Sequence, residues 1–313
     1  MDTELTIGLA QIAPVWLDRA RTLDKVNAFI EQAARQKCEL VAFGEALVPG
    51  YPFWVELTDG ARFNSALQKE IFAEYASQAV QPEAGHLNEI CTTAARHRIA
   101  VYLGTIERAV DRGGHSLYCS LIYIDPQGKI GSVHRKLMPT YEERLVWSMG
   151  DGHGLRTHAL GAFTVGGLNC WENWMLLSRA ALYAQGENLH VAVWPGSERN
   201  TKDITRFIAL ESRSYVASVS GLLRPEDVGA GEWREAVRAA GVSANGGSCL
   251  AGPDGEWIIA PAAAEEGVYV ASIDYRRVLE ERQNFDPAGH YSRPDVTSLR
   301  VDRRRQGLAE LVD

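Results

Sequence analysis

Cys170 stands where a thiol can do chemistry. It closes the apolar run Phe163-Thr164-Val165-Gly166-Gly167-Leu168-Asn169 and opens Trp171-Glu172-Asn173-Trp174, where a helical pattern begins. A thiol at a strand-to-helix turn sits near the positive end of a helix dipole, which lowers its pKa and exposes the sulfur as a nucleophile requires. The alternative reading is a small buried hydrophobe. Glu45 follows the apolar stretch 40–43 and Gly44, and leads into Ala46-Leu47-Val48-Pro49-Gly50-Tyr51-Pro52. A carboxylate just past the carboxyl end of a strand is where α/β sheets place functional groups, although a capping side chain fits the same position. Lys136 is flanked by apolar Leu137 and Met138, so it reads either as a partly buried lysine paired with a carboxylate or as an ordinary surface lysine. Close by, Glu142 and Glu143 cannot both point the same way in regular structure, and one of them is expected to pair with a lysine or arginine.

Singly these signals are weak, but together they describe one chemistry. A thiol, a carboxylate and an ammonium hydrolyse without a metal. The carboxylate takes the thiol proton and later activates water, the ammonium holds developing negative charge, and a second carboxylate keeps the lysine oriented. The spacings of His134, His153 and His158 match no HExxH or HxH pattern, so polar core or loop roles are expected for them, with no metal and no cofactor.

Positioning such groups requires elements that alternate along the chain. The runs 5–10, 40–43 and 99–104 read as strands, 21–36 as an amphipathic helix with Leu23, Val26, Phe29, Ile30 and Ala33 on one face, and 62–79 and 84–97 as helical. Residues 117–124 and 129–134 form a hairpin around Asp125-Pro126-Gln127-Gly128, and Gly252-Pro253-Asp254-Gly255 repeats the device between 248–250 and 257–259. Between the hairpins lie the strand ending at Cys170, a helix through Gly186, the strand 189–194, a helix near 202–213 and the strand 215–220. This interleaving predicts an α/β protein with mixed sheets covered on both faces. No Gly/Pro/Ser linker divides residues 1–313, so a single domain is expected, with a tail from about 296. Segment 225–247 is the most loop-like interior stretch and reads as a lid or rim.

Composition narrows the partners. A net charge of -8 leaves no basic surplus to neutralise phosphates, which argues against nucleic acid, and Arg303-Arg304-Arg305 reads as a solvated tail. The five cysteines are odd in number and form no CxxC pair, so neither a disulfide framework nor a structural zinc site is expected, and a reducing cytoplasm fits. No signal peptide is read at Met1-Asp2-Thr3-Glu4, and no apolar stretch approaches membrane-spanning length. Tyr51, Trp54, Trp171 and Trp194 adjoin the reactive segments and are expected to line an apolar substrate pocket, whereas core packing is preferred for Trp174.

The segments 43–54, 134–144 and 168–174 resemble, in order, the three active-site motifs of the nitrilase superfamily, and in particular of its true nitrilase branch. Supporting stretches are 147–152 and 289–296, and the resemblance runs from about residue 5 to about 300. Gly44 and Leu176 depart from it where many relatives carry proline. The resemblance implies a four-layer α-β-β-α sandwich, a catalytic triad of Glu45, Lys136 and Cys170, and Glu143 as the additional acid beside the lysine. It implies hydrolysis of an organic nitrile to the carboxylic acid and ammonia through a thioimidate on Cys170, with the aromatic pocket pointing to aryl or arylaliphatic nitriles. An amidase or carbamoyl hydrolase of the same superfamily, or hydration that releases amide, is the nearest alternative; a non-catalytic binding protein and a zinc hydrolase are more distant ones. It also implies at least a homodimer and a structural role for His290 near the subunit interface, while a tail after Asp295 that is short compared with many nitrilases argues against long spiral filaments without deciding oligomer size.

Overall fold

The computed structural model describes residues 3–241 and 244–309. Strands β1 (Glu4–Gln11), β2 (Leu40–Phe43), β3 (Ala100–Arg108), β4 (Leu117–Ile124), β5 (Ile130–Arg135), β6 (His158–Leu160), β7 (Phe163–Asn169), β8 (Leu189–Trp194), β9 (Tyr215–Ser220), β10 (Leu222–Leu223), β11 (Ala244–Asn245), β12 (Cys249–Ala251), β13 (Trp257–Ile259) and β14 (Gly267–Asp274) alternate with helices. The helices are α1 (Arg19–Arg35), α2 (Trp54–Leu57), α3 (Ala66–Gln78), α4 (Asn88–His97), α5 (Leu176–Tyr183), α6 (Glu198–Ser212), α7 (Glu232–Ala239) and α8 (Tyr275–Arg282). One sheet has the order β14-β1-β2-β3-β4-β5 and the other β13-β12-β9-β8-β7-β6, while β10 and β11 form a small ribbon of their own.

The four layers follow from side-chain alternation at period two. In the first sheet Leu5, Ile7, Leu9, Leu40, Ala42 and Tyr102 face inward and meet Val165, Val191, Val193, Ala217 and Val219 of the second. The alternate residues Val41, Phe43, Val101 and Ile122 face outward against Val26, Ile30 and Ala33 of α1 and Ile90 and Ala94 of α4. On the other flank Ile204, Ile208 and Ala209 of α6 cover Ala192 and Val216. Because both faces are buried, the central strands read as continuous apolar runs. Helix α1 starts at Asp18, whose side chain accepts the Arg21 N–H, and its buried residues Thr22, Val26, Ile30 and Ala33 recur at helical spacing.

Strand direction gathers the reactive segments at one end. Strand β2 runs parallel to β3; β4 is antiparallel to β3, and β5 is antiparallel to β4, so β2 and β5 end on the same side. Strands β7 and β8 are parallel in the other sheet. The two sheets are stitched at this end by the Glu45 N–H, which donates to the carbonyl of Trp194 at the end of β8 (3.1 Å). The chain after β2 crosses closely over β3: a Cβ on Gly104 would stand 2.1 Å from the Gly44 oxygen, so only glycine fits there.

Several expectations need correction. Strand β14 and helix α8 form where no element is expected, and β14 pairs antiparallel with β1 to complete the first sheet. Segment 225–247, expected to be loop-like, contains a 3-10 turn at Pro225–Val228 and helix α7, because Val237 turns into the core and Trp233 packs beside it. Residues 242–243 of that segment lie outside the described residues. Arg305 is not part of a solvated tail: it donates to buried Asp151 (3.0 Å) and to the Val133 carbonyl (3.0 Å), strapping the tail against the strand that leads to Lys136. Among the described residues no helix is long and apolar enough to cross a membrane.

Candidate active site

Each candidate side chain sits where a strand ends. Glu45 follows β2, Lys136 follows β5 and Cys170 follows β7. Lys136 is held by its own N–H, which donates to the Cys119 carbonyl on β4 (2.8 Å). Cys170 opens a five-residue 3-10 turn, Cys170–Trp174, fixed by reciprocal bonds between Asn169 and Glu172. Its φ of 47° is left-handed, a conformation that costs a non-glycine residue about 1–3 kcal/mol and persists only where the surroundings impose it. Asn173 helps impose it by donating to the Cys170 carbonyl (2.8 Å), and His190 in turn hydrogen-bonds Asn173 (2.7 Å) and Glu187 (2.9 Å) in the buried layer beneath.

The three segments converge. The Lys136 ammonium lies 2.9 Å from Glu45 Oε1 and donates to Glu143 Oε2 at 2.7 Å, with all three side chains buried. One acid atom from each of Glu45 and Glu143 and the sulfur of Cys170 lie within 4.8 Å of one another. Glu143 is pinned from three sides: Tyr51 Oη donates to Oε1 (2.8 Å), and the Thr140 N–H and Lys136 donate to Oε2. Glu45 is pinned on one side only. Its Oε1 meets Lys136 and the Cys119 thiol (3.5 Å), while the buried Oε2 has no partner among the described residues. The donors of Glu45, Glu143 and Cys170 are spaced as metal ligands also are, but the Lys136 ammonium already supplies positive charge between the two carboxylates.

Electrostatics run against the lowered thiol pKa expected at this turn. Burial, then the neighbouring Glu45 carboxylate, push the Cys170 thiol well above its ordinary range; Lys136 and the Trp171 N–H oppose them without prevailing. The helix dipole invoked for this position amounts to one short 3-10 turn, and the sulfur is buried rather than exposed. Burial also lifts the Glu45 carboxyl, to about 7, against the pull of Lys136. Burial alone would lower Lys136, yet Glu45, Cys170 and Glu143 hold its pKa well above the ordinary lysine value. Near neutral pH the resting site is therefore thiol, ammonium and a carboxyl poised to change state.

A cavity of about 410 Å³ opens onto Cys170, and Glu143, Tyr51 and Trp171 line it. Two other aromatics expected there do not: Trp54 is packed on Tyr75 and Trp16, and Trp194 lies in the core with its indole N–H on Ser218. Trp174, expected in the core, is 46% exposed and stacks on Phe207. Phe53, Glu56, Glu142, Arg199 and Asn200 also line the cavity, where the third dimension brings α2 and the residue before it, the 3-10 turn after Lys136 and the first turn of α6 to one rim. His134 and His158 make polar contacts with Glu172 and Ser132 respectively, and His153 with the Arg303 carbonyl.

Comparison with known proteins gives the family and the fold. The carbon-nitrogen hydrolase family profile matches residues 6–283. An aliphatic nitrilase of Rhodococcus rhodochrous is 35% identical over 318 residues, which cover 95% of this chain and 82% of the relative. A bromoxynil-specific nitrilase of Klebsiella pneumoniae subsp. ozaenae is 34% identical over 324 residues, covering 100% of this chain and 90% of the relative. In three dimensions the chain is similar to Saccharomyces cerevisiae Nit3, a member of branch 10 of the nitrilase superfamily, with a TM-score of 0.72 at 17% identity over 93% of this chain and 97% of that one. The four-layer sandwich expected from the sequence is the fold the two share.

Proposed function

Since the chain belongs to the carbon-nitrogen hydrolase family, we propose that it works as a single domain that hydrolyses organic nitriles to carboxylic acid and ammonia, with Cys170 as nucleophile, Glu45 as acid and base, and Lys136 as the holder of negative charge. The observation that supports this reading is the convergence of the three groups, with Glu45 Oε2 left without a partner among the described residues. Glu45 takes the thiol proton as sulfur bonds to the nitrile carbon, and that proton passes to the nitrile nitrogen to give a thioimidate. Water, giving a proton to Glu45, adds to the same carbon. The nitrogen takes that proton from Glu45 and the proton of the new hydroxyl, the C–N bond breaks, ammonia leaves, and a thioester carbonyl remains. A second water releases the acid and restores the thiol, so two waters are consumed per nitrile. Lys136 and the Trp171 N–H face the charge that develops on nitrogen and then oxygen. Glu143 keeps Lys136 charged and aimed.

The cavity supports aryl or arylaliphatic nitriles. Tyr51, Phe53 and Trp171 offer rings near the sulfur, and Glu56, Glu142, Arg199 and Asn200 make a polar rim. The test is ammonia release from a panel of arylacetonitriles, benzonitriles and alkyl nitriles, each beside its matching amide. Arylacetonitriles are expected to exceed their amides by roughly 100-fold, a margin that needs the site to favour the linear group over the planar one. Equal or faster turnover of the amides identifies an amidase, and accumulation of amide from nitrile identifies hydration.

The reaction's pH dependence follows from Glu45. Its carboxylate form is the one that accepts the thiol proton, and its carboxyl is held near 7, so kcat/KM is expected to fall about tenfold per pH unit below about 7 and to level off above it. A profile from pH 5 to 9 that stays flat through 7 would contradict this assignment.

The partner proposed beyond substrate is a second copy of this chain. Trp174, Met175, Leu176, Leu177, Phe207 and Leu210 are all exposed, and the rings of Trp171, Trp174 and Phe207 follow one another at 6.4 Å. Such an apolar face on α5 and α6 suits a homodimer or higher homo-oligomer. Sedimentation should give at least a dimer, dissociated by Leu177→Glu; a monomer at micromolar concentration argues against it.

A further inference from the structure

Glu172 is fully buried, and the mechanism above gives it no part. Its carboxylate nevertheless touches both halves of the site. Oε1 accepts the N–H of Leu137, the residue after Lys136 (2.8 Å). Oε2 accepts the N–H of Asn169, the residue before Cys170 (3.1 Å), and meets His134 Nε2 on the strand that delivers Lys136 (2.8 Å). One carboxylate thus grips the chain on either side of the lysine and just ahead of the thiol. The two segments belong to different sheets. Their relative placement fixes the distance from sulfur to ammonium, and Cys170 is held there in a left-handed conformation that needs support.

We propose that Glu172 is a positioning residue for the reaction, a brace that locks the nucleophile turn to the lysine segment. The proposal rests on the reading that Cys170 and Lys136 carry the chemistry. Three N–H donors converge on two acceptor oxygens, a set that only a carboxylate satisfies. Although burial works to raise this carboxyl, His134 and the Leu137 and Asn169 N–H groups outweigh it and keep it below the usual value, so Glu172 stays ionised and His134 Nε2 donates. In Glu172→Gln the amide NH2 must face at least one of those donors, and the two segments part there. Displacement of reacting groups by about 1 Å costs on the order of 100-fold in rate.

The experiment compares parent, Glu172→Gln and Cys170→Ala, each isolated as a folded species matched by gel filtration and near-ultraviolet circular dichroism, with an arylacetonitrile that the parent turns over. The expected result for Glu172→Gln is a kcat loss of about tenfold or more with KM within about threefold, because substrate still enters an intact cavity while the reacting atoms are misplaced. A smaller loss, or a change confined to KM, overturns the proposal. Should Glu172→Gln not fold, His134→Gln and His134→Leu decide. The glutamine keeps an N–H donor for Oε2 and should retain at least about tenfold more kcat than the leucine; equal values overturn the proposal. Cys170→Ala separates the two levels. If it retains activity, the underlying reading falls and takes the brace with it; if it is inactive while Glu172→Gln matches the parent, the brace alone is wrong.

Discussion

Cys170→Ala should lower kcat by about 10⁴-fold or more while nitrile binding changes by less than about threefold, since loss of a nucleophile removes the covalent route and leaves the cavity intact. Alanine is the informative replacement. It keeps the Cβ in the left-handed conformation recorded at φ 47°, so the turn bears the same strain as before. The Asn173 bond to the residue 170 carbonyl does not depend on the side chain. Fold stability should therefore change little. Equilibrium binding of a nitrile together with single-turnover ammonia release checks both halves. Ammonia release near the parental rate would remove Cys170 from the nucleophile's role.

Lys136→Met should be less damaging to activity and far worse for stability. The ammonium lies between two buried carboxylates at 2.9 and 2.7 Å, and methionine fills its volume without its charge. Removing one member of a buried ion cluster costs about 3–5 kcal/mol because the remaining charges stay desolvated, and kcat should fall by about 10²–10³-fold from lost charge stabilisation. The stability loss carries a sign in pH. Without the lysine, burial and the neighbouring Glu143 carboxylate raise the Glu45 carboxyl in the folded state still further above its unfolded value. A carboxyl raised on folding favours the native state below its unfolded pKa and loses that benefit as pH rises through its folded pKa. The deficit relative to the parent should thus be smallest near pH 4–5 and grow toward pH 8. Urea unfolding at several pH values measures it; a deficit independent of pH would contradict the picture of two carboxylates stranded by the substitution.

Much of this arrangement was legible in the sequence because local signals and tertiary demands coincide. The strand Leu40–Phe43 is apolar on both faces and is followed at once by Gly44 and a Pro-rich loop, so the placement of Glu45 at a strand end could be read directly. Cys170 likewise follows a seven-residue strand. What sequence could not deliver depends on contacts made across the fold. Strand β14 is only half-buried along most of its length and gives a weak periodic signal; it becomes a strand by pairing with β1 some 260 residues away. Helix α7 is hidden among glycines, and its Val237 and Trp233 gain meaning only against the core beside Trp16. The sign of the Cys170 shift was misjudged for the same reason: a turn's dipole is local, whereas burial and the Glu45 carboxylate arrive from elsewhere. Trp54 and Trp194 border the reactive segments in sequence, but strand alternation and helix packing turn both rings into the core.

The most direct measurement is to stop turnover of an arylacetonitrile in acid within the first catalytic cycles and weigh the peptides. An acyl or imidoyl mass should be found on the peptide carrying Cys170, rising before free acid appears and decaying as it accumulates, with Cys38, Cys91, Cys119 and Cys249 unmodified. Turnover with an unmodified Cys170 peptide, or the added mass on Cys119 beside Glu45, would contradict the account.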